Sequence, residues 1–158
     1  MFGGCNDHVH IDIRRVNKLG SISMSFEEAR ILRTRAETFL KHAKQALERE
    51  EYDFACFSSE QAAQLFIKCA MLELVGEVPR LHRVRELLSL FGSSIPEVGM
   101  LISEFIKERR ENLRALDDAY ITSGYLPFPY THEDAEVLVN LAEDVINITE
   151  KVLKECRR

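Results

Sequence analysis

The chain has 158 residues, 46% of them apolar and 30% charged, and a formal net charge of −5. That size and composition predict one soluble globular domain with a substantial core. The acidic balance excludes a protein whose whole role is to coat nucleic acid, because such affinity comes from neutralised phosphates; it leaves room for a local basic site.

Residues 1–24 differ from the rest. Met1 to Asp7 has neither the basic nor the apolar region of a secretory signal. Val9, Ile11 and Ile13 alternate with His10, Asp12 and Arg14, a strand-like period of two. His8, His10 and Asp12 would then share one strand face, but two His and one carboxylate in a terminal arm give no metal site. The segment reads as an appendage, such as an over-extended start would produce, and residues 25–158 as the domain.

Ser25-Phe26-Glu27-Glu28 has the spacing of a capping box. Ala29, Leu32, Ala36, Phe39, Ala43 and Leu47 follow at threes and fours, which predicts an amphipathic helix ending near Glu50. The stretch from Asp53 to Val75 is apolar around most of its circumference and marks a central helix, with Gly76 as its C-cap. Lys68 interrupts it, and Gln61 and Gln64 stand seven and four residues earlier on the same face. Pro79 closes the connection. A short third helix covers His82 to about Phe91. Gly92 to Glu97 reads as a turn, with Ser94 as the next cap and Pro96 in the first turn.

One long fourth helix is predicted from Val98 to Tyr120. One Gly and two Pro make Ser123 to Pro129 non-helical. Thr131 to Asp134 then opens a last helix that buries Ala135, Leu138, Ala142, Val145, Ile146, Thr149 and Val152. The fold class is all-α, an up-and-down bundle of about five helices. The longest apolar run is broken by Gln64, Lys68 and Glu73, so no segment qualifies as a membrane span. Cys5, Cys56, Cys69 and Cys156 show neither Cys-x-x-Cys nor zinc spacing. They imply no disulfide framework and fit a reducing cytoplasm.

Four pieces, in order, carry a resemblance: Ala43 to Asp53; Cys56-Phe57 with Gln61-Ala62-Ala63 and Lys68; Pro79-Arg80-Leu81-His82 with Leu87-Leu88; and Leu116 to Tyr125 with Pro127, then Thr131 to Ala135. Together they resemble the HEPN family of small helical bundles over about residues 25–155. The resemblance implies a homodimer, often paired with a small nucleotidyltransferase as a toxin–antitoxin system. Other members are metal-independent ribonucleases or bind nucleotides. The ribonucleases use Arg-x(4–6)-His near the end of the fourth helix, and this chain has no such pair there. Related members often carry Arg before the loop Tyr, where this chain has Gly124 before Tyr125. Arg35 and His42 match the ribonuclease spacing only on the first helix, the wrong one.

Arg80, His82, Arg83 and Arg85 form the main candidate site. Arginine forks with exposed N–H groups at a helix start can hold a phosphate, and His82 can serve as a donor or an acid. The alternative is a solvated turn tied down by local hydrogen bonds. Lys68 either reaches the surface along its stem or points into a cleft. Lys107, Arg109, Arg110 and Arg114 sit among Glu104, Glu108 and Glu111 as ordinary helix ion pairs. Tyr120 and Tyr125 can stack on a base or simply pack on the bundle.

The expectation is a cytoplasmic, non-enzymatic homodimer that binds a nucleotide through Lys68, Arg80, His82, Arg83 and Tyr125 and partners a nucleotidyltransferase. No cofactor or metal is implied. One alternative is a metal-independent ribonuclease with an atypical Arg/His site, in which His82 is the catalytic candidate. Another is a purely structural dimer that binds only protein.

Overall fold

The computed structural model describes residues 22–23, 26–125, 127 and 129–157. It contains six helices: α1 (Phe26–Glu48), α2 (Tyr52–Val75), α3 (Val84–Ser94), α4 (Pro96–Glu108), α5 (Arg110–Tyr125) and α6 (His132–Cys156). Two short strands, β1 (Ile22–Ser23) and β2 (Glu77–Val78), pair antiparallel, with Ile22 opposite Val78. Ile22 and Ser23 are the described part of the N-terminal segment. The alternating Val9–Arg14 stretch, the His8–His10–Asp12 set and Ser25 of the expected capping box lie outside the described residues.

Helix α2 is the axis of the bundle. It packs most extensively on α1, then on α6, α5 and α3. Its apolar residues face all round, and Ala55, Cys56, Ala62, Ala63, Phe66, Ile67, Ala70 and Met71 are all buried. α1 meets it with Ala29, Ala36, Ala43 and Ala46. Small side chains at that spacing let two helices approach closely, so dispersion contacts accumulate along their whole length. Gly76 ends α2 in the left-handed conformation at φ 82°, and its N–H bonds to the carbonyl of Leu72. Glu73, near this end, accepts from Arg33 of α1 at 3.4 Å and from Arg157 beyond α6, tying three helices together. α6 opens on a reciprocal capping box. Asp134 N–H donates to Thr131 at 3.1 Å, and Thr131 N–H donates to the Asp134 carboxylate at 2.9 Å.

Several boundaries depart from the sequence expectation. α3 runs through Gly92 to Ser94, so only Ile95 separates it from α4. Ser94 does not cap α4; its hydroxyl donates back to the Leu90 carbonyl at 2.8 Å. The expected single helix from Val98 to Tyr120 breaks at Arg109. No breaker residue stands there. α4 packs on α3 whereas α5 packs on α2, and one straight rod cannot satisfy both. The Arg109 guanidinium secures the joint, bonding Asp144 of α6 at 2.8 Å and lying over the Phe105 ring. α5 then continues to Tyr125, beyond the expected end, because Gly124 is tolerated in a last turn. Among the described residues no helix is long and apolar enough to cross a membrane.

Candidate functional site

The polar face of α2 forms a connected line inside the protein. Glu60 is only 1% exposed. Its Oε1 accepts from Gln64 Nε2 and its Oε2 accepts from Gln61 Nε2, both at 2.7 Å. Gln64 Oε1 in turn accepts from Lys68 Nζ at 2.9 Å. Lys68 Nζ then stands 3.5 Å from His82 Nδ1, where the chain enters α3. The donors all point one way, the amides of Gln61 and Gln64 towards Glu60 and the Lys68 ammonium, which can only donate, towards Gln64. His82 Nδ1 is the ring atom that faces Lys68 Nζ.

Burial is the largest influence on both charged ends. It pushes the Glu60 carboxyl up to about 7, although the amides of Gln64 and Gln61 pull the other way. It lowers the Lys68 ammonium, which the charge on Glu60 partly restores.

A second carboxylate stands beside this line. Asp117, on α5, accepts the backbone N–H of Val84 at 2.5 Å and so caps α3 from another helix. Burial raises its pKa; the Val84 and Arg85 N–H groups and the charges of Arg83 and Arg85 work against that. Asp117, Asp118, Arg83, Arg85 and Arg114 line a cleft of about 420 Å³. The arginines come from the start of α3 and from α5, so the cleft exists only because these helices pack side by side.

The fold meets the sequence candidates unevenly. Lys68 and His82 are brought together, with Lys68 buried and His82 exposed. Arg83 joins Arg85 and Arg114 in the cleft, so Arg114 is more than one member of a helix charge ladder. Arg80 is exposed in the connection before α3 and does not line the cleft. Tyr125 ends α5, and its side chain lies outside the described residues. Arg35 and His42 are both exposed on α1. Among the described residues no group of three His, Cys, Asp or Glu is placed to hold a metal ion.

A family model for the HEPN domain matches residues 29–152, nearly the whole bundle. The chain belongs to the HEPN domain family. This HEPN chain is similar to TT1696 from Thermus thermophilus, whose crystal structure is known. The two are 28% identical, with a TM-score of 0.62 over 78% of this chain and 96% of that one. It also shares its fold with ST0689, an archaeal HEPN homologue, at 22% identity and a TM-score of 0.59. That likeness covers 79% of this chain and 97% of the other. No curated protein matches it.

Within this HEPN fold, two residues of the site escape sequence reasoning. Glu60 stands four residues before Gln64 and eight before Lys68, so helical spacing alone places it on their face. What hides it is its type, since a Glu in sequence is read as solvated. Asp117 carries no local signal, because its partner Val84 is 33 positions away.

Proposed function

We propose that this HEPN-family chain is a non-enzymatic module that holds the phosphate of a nucleotide in the arginine cleft between α3 and α5. The convergence of Arg83, Arg85 and Arg114 from two helices on one cleft supports this reading. Planar guanidinium groups pair phosphate oxygens two at a time, and three of them outweigh the two aspartates. Asp117 is already neutralised in part by the N–H groups of α3. The cleft volume, about 420 Å³, falls in the range of small-ligand pockets. His82 stands next in sequence to Arg83, at the entry to α3.

Family membership supports the wider part of the proposal. The module acts as a homodimer and works with a minimal nucleotidyltransferase, as in a toxin–antitoxin pair. Co-expression with such a partner and size analysis of the complex test that part.

Thermal unfolding with and without adenosine 5′-monophosphate tests the site. A ligand at a hundred times its Kd stabilises by about 2.7 kcal/mol. The wild-type chain is expected to gain several degrees, and Arg83→Ala combined with Arg114→Ala to gain none. A wild type that gains nothing from any nucleotide or from inorganic phosphate ends the proposal. Incubation with RNA in EDTA separates it from the ribonuclease alternative, because cleavage lost in His82→Ala would make the chain an enzyme.

A further inference from the structure

Glu60 is buried on α2, and both of its carboxylate oxygens accept side-chain amides, from Gln64 and from Gln61. Both partners are neutral, and the Lys68 ammonium is held off beyond Gln64. The protonated acid can be satisfied in the same place. Gln61 is half-buried and can turn its amide so that its carbonyl accepts the acid proton, while Gln64 still donates to the other oxygen. Glu60 can therefore take up one proton without breaking the line to Lys68.

A continuous path of contacts joins this carboxylate to the arginine cleft. From Glu60 it passes through Gln64 and Lys68 to His82. His82 precedes Arg83 and Val84 in the chain, and the Val84 N–H donates to Asp117. Arg83 and Asp117 both line the cleft. α5, which carries Asp117, also packs directly on α2. The charges acting on Glu60 come from these two helices. Asp117 of α5 favours its protonated form, and Lys68 of α2 opposes that. Asp117 in turn feels Arg83 and Arg85 from α3, and His82 meets the line through Lys68.

An oxyanion in the cleft lies beside Asp117 and adds charge of the same sign on the same side of Glu60. Burial has already raised this carboxyl to about 7, so near neutral pH a small push changes its proton occupancy. The coupling is reciprocal, because whatever an anion does to the proton the proton does to the anion. We infer that Glu60 is a proton-linked regulator of the arginine cleft: an oxyanion among Arg83, Arg85 and Arg114 draws a proton onto Glu60, and a neutral Glu60 strengthens oxyanion binding. Binding is then tighter on the acid side, where Glu60 holds its proton, and weakens as pH rises and the carboxylate forms. The inference rests on the phosphate site proposed above and adds its regulation.

Sulfate is the probe, because it keeps its full charge across neutral pH. Calorimetric titration of the full chain with sulfate at pH 7, in buffers of low and high ionisation heat, counts the protons taken up. The wild type is expected to take up a fraction of a proton, and to bind sulfate about threefold more tightly at pH 6 than at pH 8. Glu60→Gln has no proton to gain, so both its uptake and its pH dependence should be smaller. Carboxyl-carbon NMR of the wild type follows Glu60 itself and needs no variant; its titration midpoint should rise when sulfate is bound. Sulfate binding with an unmoved Glu60 midpoint overturns the inference and leaves the arginine site standing. Proton uptake undiminished in Glu60→Gln belongs to the side chains of the cleft and overturns it too. Binding of neither sulfate nor inorganic phosphate overturns both the inference and the site.

Discussion

The backbone N–H of Val84 donates to the Asp117 carboxylate, so α5 supplies the anion that the N-terminus of α3 requires. A helix start attracts negative charge through its unpaired N–H groups and its dipole. Arg83, the residue at the N-cap position, makes no side-chain cap of its own. The vacancy is filled across 33 positions of sequence, and α3 is locked to α5 by the same bond. A phosphate in the neighbouring cleft is therefore left to the guanidinium groups, since the helix start is already taken.

Removing that carboxylate should move stability and anion binding in opposite directions. Asp117→Ala loses a cap, which costs about 0.5–2 kcal/mol and lowers the urea midpoint. It also frees the α3 N–H groups and deletes a negative charge from the cleft lining, so inorganic phosphate should bind more tightly. Urea titration and calorimetry check both halves. Weaker phosphate binding in a folded Asp117→Ala would mean that the cap is needed to aim Arg83 and Arg85.

Glu60 should make the wild type less stable as the solution becomes more alkaline. Its carboxyl is raised to about 7 in the folded chain, so between about pH 4.5 and 7 the folded state holds a proton that the unfolded state has released. Stability is then highest below the unfolded value and falls as pH rises through this window, by on the order of 3 kcal/mol from this group alone. Glu60→Gln should flatten that part of the profile. Urea midpoints of both proteins at pH 5 and pH 8 give the comparison; parallel profiles would show that Glu60 does not titrate there.

Gly92 holds α3 against α4. A Cβ at this position would meet Cβ and Cγ2 of Ile102 at 2.9 Å. Ile102 is buried and β-branched, with little freedom to yield. Gly92→Ala should destabilise by about 1–3 kcal/mol despite its better helix propensity. In Gly92→Ala combined with Ile102→Ala, which removes Cγ2, the loss should be smaller than the sum of the two single losses, measured as urea midpoints. Full wild-type stability in the single variant would show that the two helices separate freely.

The helices were legible because their signals are local. The apolar stripe of α1, the all-round apolarity of α2 and the Thr131–Asp134 box each lie within a few residues. The break at Arg109 was not, because nothing between Phe105 and Leu113 disfavours a helix; packing of α4 and α5 on different neighbours imposes it. Gly92 misled in the other direction. It reads as a turn, yet its missing side chain serves helix contact within α3.

The sequence by itself determined an all-α bundle around one apolar helix, and it placed Lys68 and His82 among the residues to watch. Periodicity sets which face of a helix is buried, and that property belongs to each segment alone. Only the tertiary structure decided that Lys68 meets His82, that Glu60 anchors their line from within, and that Arg114 faces Arg83 and Arg85. Burial and the meeting of charges depend on which helices become neighbours, and a carboxylate changes from solvated surface group to raised, buried acid only when that neighbour arrives.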